Sequence, residues 1–266
     1  MFFPAFDSYN LLTAAVLAAG IQVVFFFFAS LFKTDKVTDL SYSLSFILLA
    51  VLLLAGRRGA YPLQIVVTLM IVVWGLRLGS YLLVRIIKMK RDARFDGIRE
   101  NLSKFAAFWF FQAITVWVVM LPAILFLGLR SAPVMNPAVW IGVFIWLAGL
   151  IVESAADIQK YRFRTDAANR GRWIEHGLWR WSRHPNFFGE ILCWAGLFVL
   201  IAPSLAGWMW VGLAGPLFIT MILLFFSGIP TVEKRSEASY GANPDYRRYK
   251  ESTSLLIPLP PRRRGA

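Results

Sequence analysis

The sequence predicts an all-α polytopic membrane protein, a bundle of seven transmembrane helices with its N-terminus outside and its C-terminus cytoplasmic. Three observations lead there. Of 266 residues, 58% are hydrophobic and 16% charged, against about 25% charged in an ordinary soluble domain. The apolar residues fall in blocks near the roughly 20 residues needed to cross a bilayer core. Lys and Arg concentrate in alternate connections, as orientation by the positive-inside rule requires. Together these exclude a soluble enzyme, a disordered chain and a disulfide scaffold. The single cysteine, Cys193, permits no internal disulfide.

The spans follow in order. Residues 11–32 carry no charge, and Asp7 is the only charged side chain before Lys33. Without a basic leader this reads as a retained span, not a cleaved signal peptide. Residues 41–56 form a short second span. Residues 62–84 form the third and hold one cation, Arg77. Residues 105–129 are apolar apart from Gln112 and Thr115, with Pro122 placed to kink the helix. Residues 138–156, the short 187–203 and 208–229 complete the set.

Placing these spans assigns 24 Lys and Arg to one side of the membrane and 3 to the other, with Arg77 inside a span. The formal charge of +13 is therefore a matter of orientation rather than of a nucleic-acid partner. The whole chain, 1–266, reads as a single integral membrane domain. Its segments 85–105, 157–186 and 230–258 are long, polar and cytoplasmic, on the side where a soluble cofactor is available. The outer connections are short.

Chemistry-bearing residues gather on that side. Glu153, Asp157, Lys160, Tyr161 and Arg164 recur mostly at steps of three and four, which puts them broadly on one helical face. This is either an amphipathic exit from the membrane or the lining of a cofactor cavity. Arg183, Asn186, Glu190 and Trp194 form a second stripe at the start of the sixth span, with Pro185 suited to a first helical turn. A carboxylate one turn inside an apolar run needs a partner, so Glu190 marks a functional site or a structural bond to a neighbouring helix. Asn186 offers the donor and acceptor that grip a planar amide.

His176 and His184 are the only histidines and lack the spacing of a metal site, so no metal is expected. In the tail, Glu233, Arg235, Tyr246 and Tyr249 could hold phosphates or cap an adenine, or anchor the membrane surface. The terminal Arg262–Arg264 run reads as an orientation signal or lipid-facing charge. Towards the N-terminus, Asp39 and Tyr42 flank the second span, and Trp74 and Tyr81 bracket Arg77. A cation that deep requires a buried partner or snorkelling, with Asp39 one possible partner. There is no GxGxxG after a strand, Walker A, HExxH or GxSxG motif, so a Rossmann-type domain is not expected.

The run GLWRWSRHPNFFGEILCWAG, the upstream RFRTDAANRGRWIEHG and the tail EKR…PDYRRYKESTSLLIP resemble the steroid 5-alpha-reductase-like family of membrane proteins, particularly its members with the DUF1295 domain. The resemblance covers residues 150–260 closely and 33–105 more loosely. Sterol reductases and isoprenylcysteine methyltransferases share the broader superfamily. The resemblance implies an NADPH-dependent reduction of a C=C bond conjugated to a ketone. The hydrophobic substrate would enter from the bilayer of a bacterial plasma membrane, and the site would open to the cytoplasm.

Asn186 and Glu190 match the family's nicotinamide-holding asparagine and glutamate. Asp157 and Arg164 resemble its other cofactor-binding positions. Arg172, Glu233, Arg235, Tyr246 and Tyr249 follow with looser loop spacing. The family's substrate-side glutamate and tyrosine are not reproduced. Asp39 or Tyr42 stands near the first and Trp74 near the second, leaving Tyr42, Arg77 or Tyr81 as donors. A steroid-like 3-oxo-delta-4 compound or another lipid-like enone fits this reading. An S-adenosylmethionine-dependent membrane methyltransferase and a non-enzymatic scaffold or transporter are the alternatives.

Overall fold

A computed structural model describes residues 7–57, 59–89 and 97–261. The Arg262–Arg264 run and the basic stretch 90–96 lie outside them. Ten α-helices are described: α1 (Leu11–Leu31), α2 (Thr38–Ala55), α3 (Pro62–Met89), α4 (Leu102–Val119), α5 (Leu121–Gly128), α6 (Pro137–Thr165), α7 (Pro185–Ile201), α8 (Ala214–Met221), α9 (Ile229–Tyr240) and α10 (Pro244–Ser252). Among the described residues there is no strand, and seven helical stretches are long and apolar enough to cross a membrane.

The expected fourth span is broken. Its helix stops at Val119, and α5 starts at Leu121 with Pro122 in its first turn. Proline cannot donate to the turn before it and crowds that turn's carbonyl, so the break falls there. The seventh span is also irregular. It opens with a 3-10 stretch, Gly207–Leu213, passes through α8, widens into a π turn at Ile222–Phe226 and restarts as α9. Two helices run further than their apolar blocks, α3 to Met89 and α6 to Thr165. The extension of α6 carries Asp157, Lys160, Tyr161 and Arg164 on continuous helix.

The described residues divide into two compact units. One comprises those up to Val139 together with Leu197–Phe218, and the other Trp140–Gly196 together with those from Ile219 onward.

In the first unit α2 lies close against α3 because two glycines open the way. A Cβ at Gly75 would stand 2.7 Å from Ile47, and one at Gly79 would stand 2.6 Å from the Ser43 hydroxyl. Small residues serve here because apolar helices in lipid associate by close packing, not by hydrophobic burial. α1, α2 and α4 share a buried polar network. Gln112 Nε2 donates to Gln22 Oε1 (3.0 Å) and Ser41 Oγ (2.9 Å), and Gln22 Nε2 donates to Ser45 Oγ (2.7 Å). The serine hydroxyls donate in turn to the carbonyls of Thr38 and Ser41. α5 is buried on every side. Its C-terminal carbonyls are met by the Arg57 guanidinium and by Gln64 Nε2, 3.0 Å from Phe126 O.

In the second unit α6 and α7 cross at backbone distance. A Cβ at Gly149 would lie 2.7 Å from Gly189 O, one at Gly189 2.6 Å from Glu153 N, and one at Gly196 2.5 Å from Trp146 N. Gly142 and Gly149 on α6 are seven residues apart, as are Gly189 and Gly196 on α7, and Gly149 meets Gly189 while Gly142 meets Gly196. Two helical turns separate the two glycines of each helix, so they sit on one face. Beyond α6, Gly177 takes a φ of 60° that a side chain would strain. The turn it makes folds the chain back onto α6, where Trp179 Nε1 donates to Ala156 O (3.0 Å) and Gln159 Oε1 accepts from Leu178 N (2.9 Å).

Candidate functional site

The crossing of α6 and α7 places polar groups where only close packing would otherwise occur. Glu153 is 2% exposed and Asp157 4%. Cys193 Sγ lies 3.9 Å from Glu153 Oε2. Asn186 and Glu190, four residues apart on α7, share a face that is half-buried.

At the foot of α7 stands a cluster that sequence spacing gave no means of assembling. Glu233, from the first turns of α9, accepts from His184 Nε2 at 2.8 Å and from the Arg183 guanidinium. Lys250 Nζ of α10 lies 3.9 Å from the same carboxylate and 2.7 Å from Glu237. Burial holds the His184 ring below the usual histidine range, against the opposing pull of Glu233. The neutral ring therefore carries its proton on Nε2, since a carboxylate paired with a guanidinium can only accept. That leaves Nδ1 as an acceptor.

Three buried polar atoms here have no hydrogen-bond partner among the described residues: His184 Nδ1, Asn186 Oδ1 and Arg183 Nε. Two accept and one donates. Buried polar groups are nearly always paired, so such a concentration points to a ligand or water that completes it.

The loop before α7 is held by the C-terminal segment. Ser182, fully buried, donates its hydroxyl to Leu256 O (2.7 Å) and accepts from His184 N (3.1 Å). Arg183 N donates to Ser254 O at 2.8 Å, and Leu259 N to Trp181 O at 3.1 Å. Tyr249 donates to Trp179 O at 2.8 Å. Burial pushes its phenol well above the usual tyrosine range, so it remains a donor. Tyr246, 3% exposed, packs with Trp173 and Tyr240. An open cleft of about 1000 Å³ lies beside these segments, lined among others by Arg172, Trp173, His176, Arg180, Arg248 and Tyr249.

The expected residues therefore distribute unevenly. Asp157, Asn186 and Glu190 lie on the paired helices α6 and α7, and Glu233 joins the His184 cluster. Arg172 and Tyr249 line the cleft, while Tyr246 sits in the aromatic cluster. Arg164 and Arg235 are exposed on α6 and α9. Arg183 and His184 gain a role in binding Glu233 that their spacing alone did not disclose. The RHPN run was the available signal, but its partner lies some 50 residues away. Among the described residues no group of three or more His, Cys, Asp or Glu could hold a metal.

The substrate-side candidates all lie in the other unit. Asp39 Oδ2 pairs with Arg85 Nη2 at 2.6 Å, a partner that the sequence reading did not single out. Arg77 lies over the Tyr81 ring, 5.9 Å from its centroid. Tyr42 packs edge-on against Phe46 (5.0 Å), and Phe46 against Trp74 (5.2 Å), forming an aromatic column between α2 and α3.

A family model described as "Protein of unknown function (DUF1295)" matches residues 25–253. An uncharacterized protein of Schizosaccharomyces pombe is 29% identical over 143 residues, which cover 45% of this chain and 38% of that relative. The match thus spans about two fifths of the relative's length. No solved structure matches the chain.

Proposed function

The chain belongs to the DUF1295 family, and from that premise we propose that it is an NADPH-dependent membrane reductase of the steroid 5-alpha-reductase-like kind. It reduces an activated C=C bond of a hydrophobic enone that enters from the bilayer. The observation that carries this reading is the unpaired, buried Oδ1 of Asn186, set one turn before Glu190 on the same face of α7.

A carboxamide is the group that fits such a set. It offers two N–H donors to acceptors such as Asn186 Oδ1 and the Glu190 carboxylate, and one carbonyl to a donor such as Arg183 Nε. Bound NADPH supplies the hydride. The protein's residues do the rest. Asn186 and Glu190 grip the carboxamide and orient the ring. Asp157, buried on α6, accepts from a hydroxyl of the same ligand. Glu233 positions Arg183 and His184 at the base of α7, so that the first turn of that helix keeps its orientation. Apolar walls exclude water from the transferred hydride.

Reduction of an enone also requires a donor at its oxygen and a proton for the alpha carbon. Tyr42, Arg77 and Tyr81 are the candidates for these tasks, and Asp39 acts through its pair with Arg85. The cytoplasm supplies the cofactor, which sets the C-terminus on that side.

Equilibrium binding to detergent-purified protein tests the reading, with NADPH, NADH and S-adenosylmethionine measured side by side. Saturable NADPH binding, weakened at least about tenfold by Glu190→Gln, is expected; losing one charge-assisted bond costs about 1.5–3 kcal/mol. Folded protein that binds no NADPH overturns the proposal. Binding of S-adenosylmethionine instead assigns methyl transfer.

A further inference from the structure

The C-terminal segment after α10 does more than clamp the loop before α7. From Thr253 onward its burial alternates. Thr253 is buried, whereas Leu255, Ile257 and Leu259 are 42–54% exposed. The hydrogen bonds of Ser182, Arg183 and Leu259 fix this strap alongside Trp181–Arg183. Trp181 is itself 43% exposed. Four large apolar side chains thus lie open on two adjacent segments.

Their height relative to the bilayer is fixed by the chain. α7, a helix long and apolar enough to span, begins at Pro185, only four residues after Trp181. The strap is therefore tied to the point where α7 enters the membrane. At that level lie the headgroups and the first methylenes of the acyl chains, the depth at which Trp is enriched. Exposed Leu and Ile there meet lipid.

The same two segments also form a wall of the cleft. Arg180, next to Trp181, lines it, as do Thr253 and Pro261 of the strap. Arg172 and Arg248 line it as well, together with the carboxylates of Glu175 and Asp245. Arg248 is paired with Asp245, whereas Arg172 and Arg180 have no ion-pair partner among the described residues. Two uncommitted guanidiniums beside an apolar edge match the two parts of one ligand, an anionic head and an acyl tail.

We propose that the strap and the cleft form a binding site for a phospholipid with an anionic headgroup. The phosphate meets Arg180 and Arg172, and the upper acyl chain lies along Trp181, Leu255, Ile257 and Leu259. This goes beyond the reductase reading and gives the lipid Arg172, which the family resemblance would assign to the cofactor.

The native thiol suits the test, because Cys193 is only 2% exposed. Ile257→Cys then supplies an accessible site for a fluorophore, and Glu251→Cys, exposed on α10, supplies a reference. Each labelled protein is placed in nanodiscs of phosphatidylcholine or of phosphatidylglycerol, with a nitroxide lipid labelled near the top of the acyl chain. The expected result is strong quenching at position 257 and little at 251. Quenching at 257 should be greater in phosphatidylglycerol, and Arg180→Gln should remove at least half of that difference.

An unquenched label at 257 overturns the proposal. So does quenching that ignores both the headgroup and Arg180, which would leave an apolar contact without a headgroup site. If inorganic phosphate in excess abolishes the phosphatidylglycerol preference while leaving quenching in phosphatidylcholine unchanged, the cleft binds soluble phosphate and the lipid assignment falls.

Discussion

Each unit of the molecule buries a polar cluster, and the two are built on opposite terms. In the first, Gln22, Ser41, Ser45 and Gln112 close a network in which each amide and hydroxyl finds a neighbour. In the second, His184, Arg183 and Asn186 each leave a buried polar atom without a partner. A satisfied network fixes the register of α1, α2 and α4 and has nothing left to offer a ligand. An unsatisfied cluster costs stability until something completes it. The first belongs to the fold, and the second has the character of a site.

The largest effect that would sharpen this contrast comes from the framework of the second cluster. Gly189→Val places a branched side chain against the α6 backbone at Glu153. Overpacking of this kind costs about 1–3 kcal/mol or more, and backbone offers no rotamer to yield. Thermal unfolding in detergent should show a marked loss of Tm or no folded protein, together with loss of any NADPH binding. Retention of both would mean that the helices do not cross this closely.

A pair of substitutions addresses the contrast directly. Gln112→Leu strands Gln22 Oε1, takes one donor from Ser41 Oγ and should destabilise by about 1–2 kcal/mol. Asn186→Leu removes an oxygen that has no partner, so the ligand-free protein should keep its stability to within about 0.5 kcal/mol or gain slightly. The same variant should lose NADPH binding at least about tenfold. If Asn186→Leu proves as destabilising as Gln112→Leu, the two clusters are of one kind and the comparison breaks.

His184 gives a smaller, pH-dependent effect. Its folded-state value is held below that of a free histidine near 6.5 by burial. Between the two values the unfolded chain binds the proton more readily than the folded one. Its contribution is thus fully present above about pH 6.5 and is lost as pH falls below it, levelling off under the folded-state value. Unfolding followed from pH 7.5 to 5 should show this decline, and His184→Gln should flatten it. A decline unchanged by the substitution would assign it to other groups.

The smallest effect is expected at the rim. Lys250→Met removes surface contacts with Glu237 and Glu233 that are partly exposed. Such pairs contribute about 0–1 kcal/mol, so Tm should barely move, while His184 and Arg183 continue to hold Glu233. A large loss would place Lys250 inside the cluster rather than at its edge.

Much of this architecture is legible before any tertiary contact is considered. Span positions follow from runs of apolar residues, because the transfer free energy of each segment is a local property of its composition. The break at Pro122 follows from the missing N–H and the ring. The shared faces of Asp157 with Lys160, and of Asn186 with Glu190, follow from 3.6 residues per turn. Both stripes lie on α6 and α7.

Pairing was decided elsewhere. Asp39 forms an ion pair with Arg85 that its sequence position did not announce, because the packing of α2 against α3 brings the two together. Glu233 became the partner of His184 and Arg183 because α9, with Pro230 in its first turn, restarts after a π turn at the foot of α7. The strap's alternating burial depended on Ser182 reaching a carbonyl 74 positions away. Periodicity specifies which face a residue occupies. Which residue meets that face depends on helix crossings, set here by glycines that admit backbone to backbone, and no local pattern encodes that distance.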